Sequence, residues 1–109
     1  MANAFKNRTL RQVGTSPMDV GAVVAGSTET TLIGMTLANV TSGVINVTVQ
    51  LINGSDTTHI VKDAPIPAGG ALIAVGGDQK IVLIPSDKIT VTSNTASSVD
   101  VIMSFLEIT

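Results

Sequence analysis

The stretch 64–93, APIPAGGALIAVGGDQKIVLIPSDKITVTS, decides the fold class of this chain. It holds three short apolar runs, at 71–75, 80–84 and 88–92, which are separated by segments rich in glycine and proline. Glycine permits positive φ, and proline fixes φ and removes a backbone donor, so each separating segment predicts a turn. The runs consist mostly of Val, Ile, Leu and Thr, which favour strands. The stretch therefore predicts a meander of short strands, with a hairpin turn at Gly76-Gly77-Asp78.

The rest of the chain continues this pattern of strands and turns. Apolar and polar residues alternate along 30–39, 44–52 and 98–108, which is typical of strands with one buried side. The side chains predicted to form the core are Ile33, Met35, Leu37, Ile45, Val47, Val49, Leu51, Ile89, Val91, Val101, Met103 and Phe105.

Two further signals complete the fold prediction. Asn53-Gly54 predicts a hairpin that leads into a strand at 57–62, and a weaker strand is expected at 18–25. No segment has a helical period of useful length. About eight short antiparallel strands, divided by turn residues, predict an all-β, single-domain β-sandwich that is jelly-roll-like or immunoglobulin-like.

The composition indicates a surface that another chain covers. Hydrophobic residues make up 44% of the 109 residues and charged residues only 13%, about half the usual charged share. The longest apolar run is far shorter than the roughly 20 residues of a membrane-spanning helix. The chain has no cysteine, and its first residues lack the apolar core of a secretory signal. We therefore expect a protein made and assembled in a bacterial cytoplasm.

The charge is distributed unevenly along the chain. The first 18 residues carry Lys6, Arg8 and Arg11 and no acid, whereas residues 19–109 carry three lysines and eight acids, a net charge of −5. This asymmetry predicts a basic N-terminal arm at 1–17 that docks on an acidic neighbour, ahead of a β-sandwich domain at 18–109. Phe5 would anchor the arm in a pocket of the partner. The alternative is a first edge strand around 9–13.

The last predicted strand is apolar on both of its faces near its end. Ile102, Leu106 and Ile108 lie on the side opposite the predicted core residues. A monomer would expose this second face, so we expect a homo-oligomer, a trimer or another ring, that covers it.

No group of residues predicts catalysis or a cofactor. His59 is the only histidine, and on a strand it would point away from Asp56. The glycines at 76–77 precede a strand rather than a helix, which argues against a phosphate-binding loop. Only two aromatic residues are present, which disfavours a carbohydrate or single-strand nucleic-acid module. We expect no enzyme, no cofactor or metal, and no nucleic-acid or membrane partner.

With these residues laid out, the sequence resembles the small virion structural proteins of tailed bacteriophages, notably those of cyanophages and other marine phages. The Pro-Ala-Gly-Gly turn at 67–70 and the Ser-Asp-Lys-Ile-Thr-Val segment at 86–91 are the most family-like pieces. The stretches that carry the resemblance are ANAFKNRTLRQVGTS, TLIGMTLAN, IVKDAPIPAGGALIAVGGDQKIVL, PSDKITVTSNTASSVDV and MSFLEIT.

The resemblance implies a non-enzymatic role in the virion, and it transfers no binding residue. A capsid decoration or cement protein that contacts the major capsid protein is the first expectation. A neck, connector, tail or baseplate component is the alternative, and an adhesin or carbohydrate-binding module is a third.

Overall fold

The computed structural model describes residues 3–21, 24–76 and 80–109, and in this part of the chain all regular structure is β. The prediction of an all-β fold is confirmed. No helix in these ranges is long and apolar enough to cross a membrane. The strands are β1 (Asn3–Val13), β2 (Met18–Asp19), β3 (Glu29–Asn39), β4 (Ile45–Asn53), β5 (Asp56–Ile66), β6 (Ala71–Val75), β7 (Ile81–Leu83), β8 (Lys88–Ser93) and β9 (Val99–Ile108).

The strands form two antiparallel sheets packed as a sandwich. Sheet A has the order β1-β9-β3-β6, with β7 also paired to β3, and sheet B has the order β2-β8-β4-β5. Strands β6 and β7 pair with consecutive stretches of β3, so they are two pieces of one interrupted edge strand. Counted as one, they give eight strands in two four-stranded sheets, wound in the order of a jelly roll.

This topology corrects the prediction for the stretch 64–93. Strands β6 and β7 belong to sheet A and β8 belongs to sheet B, so the stretch crosses the sandwich and is not a meander. Among the described pairings, β6 and β7 pair with β3 and not with each other, so the expected hairpin between them is absent. Residues 77–79 of that turn lie outside the described residues, as do residues 22–23 of the predicted strand at 18–25, of which β2 covers two residues.

The core lies between the two sheets and contains most of the side chains predicted for it. The prediction was wrong at Ile33, which is only half-buried, whereas Leu32 is fully buried. The register of β3 against β9 shifts between Leu32 and Gly34, so a β-bulge at Ile33 reverses the inward face of the strand. Leu51 is partly buried and packs against the core from its margin.

The N-terminal segment is a strand of sheet A. Asn3–Leu10 pair in unbroken register with β9, from Asn3 opposite Ile108 to Leu10 opposite Val101. A bulge follows, in which Gln12 has a φ of 56° and its backbone N–H donates to Asp100 Oδ1 at 3.0 Å. Strand β9, the last in the chain, therefore lies between β1 and β3 in the interior of the sheet.

Asn39, the last residue of β3, joins two segments, 41–43 and 66–67, at one end of the sandwich. Its side-chain amide donates to the carbonyl oxygens of Gly43 (2.7 Å), Ile66 (2.9 Å) and Pro67 (3.1 Å). Its side-chain oxygen accepts from the backbone N–H and the hydroxyl of Thr41, both at 2.8 Å. The side chain is buried, and these bonds use its full donor and acceptor capacity.

Candidate interaction surface

The outer face of sheet A carries two rows of side chains that run across its strands. Directly opposed residues of antiparallel strands share a face, so the register identifies the members of each row. Because Met103 and Phe105 point into the core, Ile102, Ser104 and Leu106 point outward. The first row is Phe5, Leu106, Thr31 and Val82, and the second is Thr9, Ile102, Thr36 and Ile73.

These rows contain half of the large exposed hydrophobic side chains of the described residues. Phe5 is 79% exposed, Ile73 69%, Val82 57% and Ile102 56%. They come from β1 and β9, which are neighbours, and from β6 and β7, which lie on the other side of β3. Together with Leu106 we call these five residues the apolar face.

The apolar face is uncharged in its middle. Between its two rows lies a row of small or polar residues, Asn7, Ser104 and Gly34. Glu29 and Asp100 occupy the outermost positions of the outward-facing set, at opposite ends of the paired strands. An uncharged apolar sheet face of this kind is suited to contact with another protein surface.

The structure separates the predicted partner-binding residues into two groups. Phe5, Leu106 and Ile102 lie on the apolar face, Phe5 and Leu106 directly opposed in one row and Ile102 in the other. Ile108 is half-buried in the row beyond Leu106, opposite Asn3 and Glu29. The basic residues do not join them, and their role in docking stays a prediction.

Lys6 and Arg8 lie on the opposite side of sheet A, because each is opposed to an inward-facing residue of β9. Lys6 Nζ donates to Glu107 Oε1 at 2.8 Å. The Arg8 guanidinium carbon lies 5.2 Å from the centre of the Phe105 ring, in the range of a cation–π contact. Arg11 is exposed in the bulge that ends the regular part of β1.

Sequence reasoning missed Ile73 and Val82. Each lies on a short strand in an apolar run without clear alternation, so the pattern did not reveal which residues point outward. Regular alternation would place Ile73 on the same face as the buried Val75, two residues away. The register shift between Met35 and Thr36 of β3 puts the two on opposite faces, and that shift is visible only in the sheet pairing. Val82 lies next to the buried Leu83, and its outward direction likewise follows from its pairing with Thr31.

The remaining concave and polar features do not form a chemical site. A pocket of about 220 Å³ opens between the sheets beside Arg8, Lys88 and Phe105, below the usual size of a ligand pocket. A larger one of about 490 Å³ is lined by apolar side chains apart from Thr58 and His59, and it has no charged residue in its lining. His59 Nε2 contacts the side-chain amide of Gln50 at 3.1 Å. Within the described ranges, no three His, Asp or Glu side chains are placed to hold a metal ion.

No protein-family model and no curated protein matches this chain. Among solved structures, it is similar to a protein of the Bacillus endospore appendages, a family of disulfide-linked pili. The TM-score is 0.57 at 10% identity, over 98% of this chain and 88% of that one. At this identity the similarity is one of fold.

Two structures of infectious bursal disease virus are also similar. For the Gt strain the TM-score is 0.46 at 11% identity, and for the Gx strain it is 0.43 at 12% identity. This chain spans about a third of each viral chain, 30% and 31% of their lengths.

Proposed function

We propose that this protein is a non-enzymatic structural component of a tailed-phage virion, a decoration or cement protein that stabilises the head shell by binding the major capsid protein. It assembles in the host bacterial cytoplasm and stays in the virion. The observation that carries the proposal is the apolar face, which a free monomer would expose to water. Such a face belongs to a protein that functions in contact with other copies or other proteins.

The small number of charges supports the same proposal. The described part of the chain has two ion pairs, Lys6–Glu107 and Lys88–Asp19, and its surface is otherwise rich in Thr, Ser and Asn. The jelly-roll sandwich provides a rigid platform for such a surface, because its residues lie on paired strands rather than on loops. These 109 residues contain no cysteine, so they form no disulfide links of the kind named for the similar pili.

The alternative is a neck, connector, tail or baseplate component. It uses the same apolar face and differs in copy number, because axial parts of a virion are present in multiples of three, six or twelve. An adhesin or carbohydrate-binding module has less support, since the two phenylalanines are divided between opposite sides of sheet A.

Quantitative gel analysis of purified virions tests the proposal. Hundreds of copies per particle, in fixed ratio to the major capsid protein, are expected for a decoration protein. A count of three, six or twelve would support the axial alternative, and absence from purified virions would overturn both.

A second experiment tests the predicted role of the basic residues in docking. Particles lacking this protein would be incubated with the wild type or with the double variant Lys6→Glu/Arg11→Glu. The double variant is expected to bind at least several-fold more weakly, and more so at low salt, because basic groups then face an acidic shell. Lys62→Glu, a single charge reversal at an exposed lysine on β5 of sheet B, is the control for a reversal away from β1. Equal binding by all three proteins would show that the basic residues do not dock.

A further inference from the structure

We propose that two copies of this protein pack face to face through the outer face of sheet A, related by a two-fold axis. The partner of the apolar face would then be a second copy of the chain. This rests on the proposed function in one respect, that the apolar face is covered in the assembly. The area, the charge and the surface shape of the face all favour such a pair.

The area of the face is adequate for a stable dimer. Four strands lie side by side across sheet A, with β6 and β7 sharing one position, and the paired region of β9 is nine to ten residues long. At about 4.8 Å between strands and about 3.3 Å per residue, the face measures roughly 600 Å² in flat projection. Because side chains protrude from the sheet, the accessible area is larger than the flat projection and approaches the roughly 800 Å² per partner of standard interfaces.

The charge of the face favours a second copy over a charged partner. Between the end positions of Glu29 and Asp100, the outward-facing residues of the paired strands are apolar, hydroxyl-bearing, amide or glycine. The middle of the face therefore offers no complement to a basic or acidic surface. It meets its own copy without repulsion in the middle, and interfaces between identical subunits are the more apolar class.

The shape of the face allows it to pack against a second copy of itself. The rows that contain Phe5 and Ile102 are ridges four residues apart along β1 and β9. Beside the Phe5 row, at the level of Ser104, lies a depression of about 260 Å³ whose lining includes Asn7 and Ile33. Under a two-fold axis, a ridge of each copy fits the depression of the other. Sheets packed in this way lie about 10 Å apart, which is the spacing that interdigitated side chains fill.

Edge-to-edge pairing is the other way in which sheet A could join a second copy, and the charges disfavour it. The open edge of β1 carries Lys6, Arg8 and Arg11, and antiparallel pairing of two β1 strands would bring these like charges together. A ring would require a heterologous contact through a second surface, which the self-complementary face does not supply.

Sedimentation velocity of the isolated chain between about 1 and 100 µM tests the inference. The wild type is expected to move from 11.1 kDa toward twice that mass. Ile102→Asp should weaken dimerisation by roughly a hundredfold, because it buries an unpaired charge in the interface. Its thermal melting should match that of the wild-type monomer, since Ile102 is 56% exposed there. The control is Val44→Asp, 67% exposed beside β4 in sheet B, which should dimerise like the wild type.

Three outcomes would overturn the face-to-face pair. They are a monomeric wild type at 100 µM, an undiminished dimer in the Ile102→Asp variant, and equal weakening by both substitutions. If the wild type is monomeric but Ile102→Asp abolishes binding to particles, the face contacts another virion protein. In that case the inference fails and the proposed function stands.

Discussion

At the scale of single residues, the stability of one end of the sandwich depends on the Asn39 side-chain amide. Three carbonyl oxygens accept from it, and one of them, that of Ile66, belongs to a fully buried residue. A carboxylate at this position has the same shape and cannot donate. It would leave those carbonyls without their donor and bring a negative charge against them.

We therefore predict that Asn39→Asp lowers the free energy of unfolding by about 3 kcal/mol at pH 7. Burial and the facing carbonyl oxygens raise the pKa of the introduced carboxyl above its unfolded value of about 3.9. Its penalty is therefore smallest below that pH and grows as the pH rises through the raised folded pKa. Urea unfolding of variant and wild type at matched pH values between about 3.5 and 7.5 measures the difference.

The matched control is Asn94→Asp. The Asn94 side-chain oxygen accepts from the Asn46 backbone N–H and the Thr95 hydroxyl, and a carboxylate can accept both bonds. We expect little change in stability at any of these pH values. A loss of equal size in both variants would show that the donor role of Asn39 is not what matters.

Which residues are buried could be predicted from the sequence where strands keep a simple alternation. Ile45, Val47 and Val49 are all buried as expected. The alternation fails at Ile33, because a bulge inserts one residue and its position depends on the partner strand. Asn39 was not identified, since its partners lie 4, 27 and 28 residues away and only the folded chain brings them together.

At the scale of elements, the β4–β5 hairpin requires glycine at its first loop position. Asn53 pairs with Asp56, so the loop is Gly54-Ser55, one residue later than the Asn-Gly pattern predicted. Gly54 has a φ of 60°, and a Cβ added there would have no heavy atom within 4 Å. The cost of a larger residue is therefore conformational rather than steric crowding.

We predict that Gly54→Ala lowers the free energy of unfolding by about 1 kcal/mol, which is the cost of a left-handed φ for an L-residue. Gly43→Ala is the control, because Gly43 is not among the positive-φ glycines and also has open space around it. That change should be neutral or slightly stabilising. Thermal melting of the two variants measures the difference. A Gly54→Ala variant with the wild-type melting temperature would contradict the proposed turn geometry.

The sequence predicted where strands lie along the chain more successfully than which strands they pair with. The runs at 71–75 and 88–92 coincide with β6 and β8 to within a residue, because turn residues mark their ends. Nothing in the local sequence indicates that β6 and β8 belong to different sheets. Pairing depends on contacts between distant segments, and the period of a strand is the same in either sheet.

At the scale of the whole molecule, the N-terminal segment belongs to the sandwich as one of its strands, whatever its contacts in an assembly. Removing residues 2–12 would expose the flank of β9 and delete most of its pairing with β1. We predict a loss of roughly 3 kcal/mol or more in unfolding free energy, since each cross-strand pair contributes about 0.2–1 kcal/mol. Urea unfolding of the truncated chain measures it.

The double variant Lys6→Glu/Arg11→Glu is the appropriate comparison, because it keeps the strand while reversing its charge. It should retain most of the wild-type stability, apart from the exposed pair with Glu107. A truncated chain as stable as the wild type would mean that β1 contributes nothing to the sandwich and would favour a free arm.

The position of β9 inside sheet A also determines when this protein can fold. Until β9 has left the ribosome, β1 and β3 have no neighbour between them, and their pairing partners on β9 are about 60 to 105 residues away along the chain. Contacts of such long range slow folding to milliseconds or seconds. Each copy can therefore complete sheet A only once β9 has been made, and a chain interrupted before β9 would present two unpaired strand edges to its neighbours.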